Sequence, residues 1–109
     1  MALPNHEYTE NGFEKQIGVN HFGHFYLTSL LRNRLETQSV PSRIIALSSK
    51  AHTHGAIDLN DLHFNKGRAY SGLASYCQSK LANILFVKSL ADQFAASHKQ
   101  IKVMSVHPG

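Results

Sequence analysis

The feature that most restricts the fold is the apolar run Ile44-Ile-Ala-Leu47, set between Pro41 and the paired hydroxyls of Ser48 and Ser49. A strand with one wet face alternates apolar and polar residues, and this run does not alternate. Such a core, predicted as a strand over Arg43 to Ser48, is what a parallel strand covered on both faces requires. Parallel strands also need long crossover connections, usually helical. The chain supplies them. A helical pattern runs from Phe13 to about Thr37, where Pro41 stops it; Ile17, Leu27 and Leu31 lie near one stripe, with Val19, Phe22, Tyr26 and Leu30 on its flank. Asn11, with Glu14 three residues later, reads as its N-cap pair. A second helix is predicted from about Leu73 to Ser97, and its apolar residues, from Leu81 to Phe94, cover more than one face, as in a helix buried on several sides. A second strand follows at Ile101 to His107. Met1 to Glu10 reads as a loop. So does Lys50 to Ala69, which is longer than packing requires, and loops of that length are often functional.

The order helix, strand, helix, strand is one βαβ unit preceded by a helix, an α/β arrangement. Two parallel strands make a poor sheet, because their edges and apolar faces call for neighbours. Residues 1–109 are therefore expected to form part of a larger, doubly wound, Rossmann-like parallel sheet. With 42% hydrophobic and 17% charged residues, the composition is that of an ordered globular chain. The net charge of +4 is scattered, without a basic run or aromatic–basic alternation, so it reads as a solvated surface and no nucleic-acid partner is expected. A single cysteine, Cys77, excludes an internal disulfide, reads as a packing residue, and fits a reducing compartment, the cytoplasm. No charged-then-apolar leader opens the chain, and no stretch approaches the roughly 20 apolar residues of a membrane span.

Chemistry centres on Tyr76 and Lys80, four apart on the second helix and so on one face, about a turn from each other. A neighbouring cation favours the phenolate and brings a phenol toward proton exchange at working pH, which makes the pair a proton donor or acceptor for an alcohol or carbonyl. Taken alone, the spacing describes two unrelated residues on a half-exposed helix. Asn20 alone would be a helix-bending or core-satisfied amide. Ser49 alone would be a strand-end hydroxyl capping a turn, and Pro108-Gly109 a turn. The chain has eight histidines, with His21 and His24 three apart on a helix and His52 and His54 alternating in the loop. No cysteine or carboxylate cluster completes a tetrahedral set beside them, so packing, capping or lining a substrate mouth is preferred to a metal site.

Taken together, Val19-Asn-His-Phe-Gly-His-Phe25, Arg43-Ile-Ile-Ala-Leu-Ser-Ser49, Ser75-Tyr-Cys-Gln-Ser-Lys-Leu-Ala-Asn83 and Val106-His-Pro-Gly109 resemble, in order and separation, the short-chain dehydrogenase/reductase family. The wording is most similar to its retinol-dehydrogenase-like branch, and the likeness runs from about Asn11 to Gly109. It implies hydride transfer between a nicotinamide and an alcohol or carbonyl carbon. Tyr76 would be the acid/base, and Lys80 would lower its pKa and hydrogen-bond the nicotinamide ribose. Ser49 would hold the substrate oxygen, Asn20 a water linking Lys80 to solvent, and Pro108 and Gly109 would contact the nicotinamide. The resemblance further implies NADP(H) in preference to NAD(H), an apolar retinoid-like or steroid-like substrate, and pairing through helices 13–37 and 73–97, as a homodimer or with a full-length relative.

The family's Gly-rich pyrophosphate turn has no counterpart here, since Gly12, Gly18 and Gly23 fall in the cap and body of a predicted helix. The expectation is a catalytic-half segment that is inactive alone. A non-catalytic segment that pairs with or regulates a full-length relative is the alternative, and a histidine-rich metal-binding domain is a weaker third.

Overall fold

The computed structural model describes residues 2–97 and 100–109; Met1, at the head of the expected N-terminal loop, lies outside them. The element order is α1 (Lys15–Ile17), a π-helical turn (Gly18–Phe22), α2 (Gly23–Thr37), β1 (Ser42–Leu47), a 3-10 turn (Lys50–His54), α3 (Gly72–Ala96) and β2 (Ile101–Val106). β1 and β2 pair in parallel from Ser42↔Ile101 to Leu47↔Val106, with α3 as the crossover. This is the expected α/β arrangement, a partial Rossmann-like unit.

The first helix differs from expectation at its start. Residues 7–15 form a tight reversal, with Tyr8 and Glu14 bridged antiparallel and Gly12 at φ +81°. A side chain at that φ is strained, so glycine is the fitting residue. Asn11 lies inside this turn, not at the helix. Glu14 itself is the N-cap, its carboxylate accepting the N–H groups of Gln16 and Ile17 at 3.0 Å. The pattern Asn11-x-x-Glu14 is real, but the chain reverses between the two residues.

α3 covers one face of the sheet. Leu90, Phe94 and Ile101 form the small core, with Leu35, Ile44, Phe86 and Val103 against it. The other face of β1 is bare: Ile45 is 54% and Leu47 59% exposed. The expectation that both faces would be covered therefore fails for these residues taken alone, although their composition asks for it. α2 buries none of its residues, so of the first helix's stripe Ile17 is buried while Leu27 and Leu31 are exposed. The radius of gyration is 15.1 Å, against about 13 Å for a closed domain of this length. The accessible surface is 7130 Å² where a compact chain of this mass would show about 6,000 Å². A slab with one finished face accounts for both. Among the described residues no helix is long and apolar enough to cross a membrane.

The long loop is ordered by one carboxylate. Asp61 Oδ1 accepts the N–H groups of Asn65 at 2.7 Å and Lys66 at 3.0 Å, and Oδ2 that of Arg68 at 2.8 Å. The Arg68 guanidinium lies 3.7 Å from the Phe64 ring centroid and donates to Asp61 O and Gln78 Oε1. Gln78 Nε2 in turn donates to Leu62 O, tying the loop to α3. Burial alone would raise the Asp61 carboxyl pKa. The three N–H groups and the Arg68 charge outweigh it and hold it below the usual carboxylate range.

Candidate active site

α3 starts cleanly because Ser71 caps it, its hydroxyl accepting from Ala74 N. One turn in, Tyr76 and Lys80 share a face, and the Lys80 ammonium lies 5.6 Å from the Tyr76 ring centroid. Lys80 Nζ donates to Leu47 O, at the carboxyl end of β1, over 3.3 Å. Ser48, buried at the same strand end, donates through Oγ to Lys80 O at 3.0 Å. The strand end and the helix turn are thus bonded from both sides.

Ser49 follows directly, half-buried, with Oγ accepting from Ala51 N at 3.2 Å and capping the 3-10 turn. That is the plain role expected of a strand-end hydroxyl, and the structure records no hydrogen bond from it to Tyr76. Beside it in register, β2 ends at Val106, whose carbonyl accepts from Ser48 N at 2.8 Å. Pro108 and Gly109 continue past that end, Gly109 at φ +117° with open space where a Cβ would sit. Ser49, Pro108 and Gly109 therefore lie at the carboxyl ends of adjacent parallel strands, the edge at which open α/β sheets take ligands.

Asn20 sits in the π-helical turn. Its Nδ2 donates to Ser79 Oγ at 3.0 Å, and its carbonyl accepts from Asn83 Nδ2 at 3.0 Å. It makes no direct bond to Lys80. Both line a cavity of about 320 Å³ along β1, with Ile45, Leu47 and Asn83. A larger, more apolar groove of about 390 Å³ lies between α2, α3 and residues 57–62, and none of the six candidate residues lines it.

Reading of the sequence passed over Ser79, Gln78 and Asn83, all buried on α3. The signal for Asn83 was present: it stands seven residues after Tyr76 and three after Lys80, a polar residue on their face within an apolar stretch. His21 packs beside it, Nδ1 at 3.0 Å from Asn83 Oδ1, with the Phe22, Phe25 and Phe86 rings around it. Burial pushes its imidazole below the ordinary range, the Asn83 bond opposing and the His24 charge adding to that shift. Cys77 is buried and packs against the rest of the molecule. Among the described residues no three His, Cys, Asp or Glu side chains gather at one point.

The arrangement suits one end of a dinucleotide. The Lys80 ammonium spends one of its three donors on Leu47 O and has others for a ribose hydroxyl. Gly18 and Gly23 have helical dihedrals and Gly12 lies in the reversal, so these three do not form a glycine-rich turn after a strand.

No family model matches the chain. Individual proteins do. Human retinol dehydrogenase 13 is 52% identical over all 109 residues, which make up 31% of its length. Mouse retinol dehydrogenase 11 is 50% identical over 101 residues, 93% of this chain and 30% of its own. A crystal structure of an uncharacterized protein from Mycobacterium paratuberculosis superposes with a TM-score of 0.87 at 40% identity, covering 99% of this chain and 39% of that one. The chain spans about a third of the length of the curated relatives it matches.

Proposed function

We propose that this chain, a segment of the short-chain dehydrogenase/reductase family in its retinol-dehydrogenase-like branch, carries the proton-transfer side of an NAD(P)-dependent oxidoreductase. The substrate is an apolar alcohol, aldehyde or ketone of retinoid-like or steroid-like character. Residues 1–109 are one part of a single domain of that type. The observation that carries the reading is the Tyr76–Lys80 turn bonded to the carboxyl end of β1, beside the end of β2.

A nicotinamide held at this strand edge would supply or accept the hydride, and NADP(H) is preferred to NAD(H). Tyr76 passes the accompanying proton between its phenol and the substrate oxygen. Lys80 would hold the nicotinamide ribose through its remaining donors. Ser49 donates its O–H to the substrate oxygen while its Oγ accepts from Ala51 N. Asn20 holds a water between Lys80 and solvent, and Pro108 and Gly109 form the surface beside the nicotinamide. The reading sets the reaction in the cytoplasm, a reducing compartment in which a free thiol such as that of Cys77 persists.

Titration with NADPH and then NADH, followed by nicotinamide fluorescence, tests the cofactor. Saturable binding that is tighter for NADPH supports the reading; absence of binding by the folded 109-residue chain limits it to a larger assembly. In the full-length protein, Tyr76→Phe should cut turnover of retinal by roughly 10²- to 10⁴-fold with the unfolding midpoint unchanged. Retained turnover removes Tyr76 as the acid/base.

A second reading rests on the apolar surface. Phe25, Tyr26, Leu27, Leu30 and Leu31 of α2 are all exposed, as is one sheet face, and surfaces of this kind mark interfaces. The chain pairs through α2 and α3 with a second copy or a full-length relative. A monodisperse monomer that binds little apolar dye would remove this reading.

A further inference from the structure

The end of β1 has a feature that the roles above do not use. Ser42 N bonds to Gln100 O, just before β2, and Ser48 N to Val106 O at its end. Backbone groups alternate sides along a strand, so residues 43, 45 and 47 direct theirs to the opposite edge, where no strand among the described residues pairs. At that edge the Leu47 carbonyl is met by two side chains of α3, Asn83 Nδ2 at 3.1 Å and Lys80 Nζ at 3.3 Å. A carbonyl oxygen has two lone pairs, and both are taken. The Lys80 bond is the longer of the two, and the Leu47–Ser48 peptide is held on its other side by Ser48 N on Val106 O. The Asn83 bond is backed by a second, to Asn20 O at 3.0 Å, and by His21 at Asn83 Oδ1. One buried amide therefore ties together the end of β1, the π-helical turn and α3, one turn beyond Lys80.

We propose that Asn83 is a positioning residue: by holding the Leu47 and Asn20 carbonyls it sets the anchor point of Lys80, and so the place of the ammonium relative to Tyr76. This rests on the proton-transfer reading of Tyr76 and Lys80. With Asn83 in place, Lys80 shares its acceptor and keeps donors for a ligand. Without it, the ammonium is the one remaining side-chain donor to the Leu47 carbonyl, whose peptide is otherwise held only through Ser48 N on Val106 O. Misplacement on the scale of an ångström costs up to about a hundredfold in rate.

The test uses the full-length protein, NADPH and retinal, with Asn83→Leu, Asn83→Asp and Tyr76→Phe compared with wild type. Asn83→Leu should lower kcat about tenfold or more, leave the KM for retinal within about twofold, and shift the pH profile. Asn83→Asp cannot donate to either carbonyl and sets a carboxylate beside the ammonium. Labelling of Lys80 by an amine reagent, read by mass spectrometry, should slow several-fold in that variant and be unchanged at Lys88 and Lys102. Loss of thermal stability with kcat, pH profile and Lys80 labelling unchanged would make Asn83 merely structural and overturn the assignment. If Tyr76→Phe keeps its turnover, the catalytic reading falls, and the labelling still decides whether Asn83 governs Lys80. If Tyr76→Phe is inactive while both Asn83 variants match wild type in rate and labelling, the positioning role alone falls.

Discussion

α2 and the first half of α3 invert the usual relation between polarity and burial. On α3, Gln78, Ser79 and Asn83 are polar and buried; on α2, Phe25, Tyr26, Leu27, Leu30 and Leu31 are apolar and exposed. Buried polar groups must be hydrogen-bonded to be tolerated, and a satisfied network fixes a geometry that apolar contact does not. Gln78 is bonded to Arg68 and Leu62, Ser79 to Asn20 and Tyr76, and Asn83 to Asn20, Leu47 and His21. The turn bearing Tyr76 and Lys80 is thus gripped from three directions by bonds with fixed angles. α2 presents a non-directional surface, which gains free energy from whatever covers it. One region defines positions and the other presents an uncovered apolar surface.

The largest break in this contrast should come from the gripped side. Gln78→Leu keeps the bulk and removes both bonds, leaving Leu62 O without its donor and the Arg68 guanidinium without one acceptor. Urea unfolding should show a loss of about 2–3 kcal/mol. Gln78→Glu keeps an acceptor toward Arg68 and should recover part of it. A loss under about 0.5 kcal/mol for Gln78→Leu would mean that the loop is held by Asp61 alone. On α2 the same measurement should move little. Leu30, 62% exposed, changed to Glu should alter stability by no more than about 0.5 kcal/mol. It should instead abolish concentration-dependent association in sedimentation. A sharp drop in stability for this variant would show α2 to be covered within the chain itself.

The same contrast explains what could be read from the chain before its fold was known. β1, α3 and β2 were legible because their patterns are local: an unbroken apolar run, a long helical period, and a Pro41 stop. The groups of Tyr76, Lys80 and Ser48-Ser49 were legible as a motif, and β1 meets α3 where the motif implies. The grip was not. Gln78 pairs with Leu62 and Arg68, and Asn20 with Ser79, across separations that no period records. The π-helical turn depends on the same distant partners, so a regular helix was the natural reading. Asn11 was misplaced because capping spacing does not reveal a chain reversal at Gly12. The bare face of β1 could not be inferred either, since sequence reports that a face wants cover and not whether this span provides it.

The smallest expected effect lies on the border of the two regions. His21 touches Asn83 on one side and lines the apolar groove with Phe22, Phe25 and Phe86 on the other. Its pKa is lowered in the folded chain, first by burial, with the His24 charge contributing and the Asn83 bond opposing. Between that lowered value and the ordinary one near 6.5, the unfolded chain binds more protons than the folded one, so stability rises with pH. The contribution is therefore fully present above about pH 6.5 and is lost as pH falls through the folded value. Urea midpoints measured at pH 7.5 and pH 5 should fall on acidification, and by less in His21→Gln, the difference isolating His21 from the other histidines. An equal fall in both proteins would place His21 in water. Covering the groove would bury His21 further and depress its pKa more. Repeating the pair of measurements at higher protein concentration should then widen the gap between wild type and variant if the apolar side finds its partner in a second copy, and leave it unchanged if the cover comes from another chain.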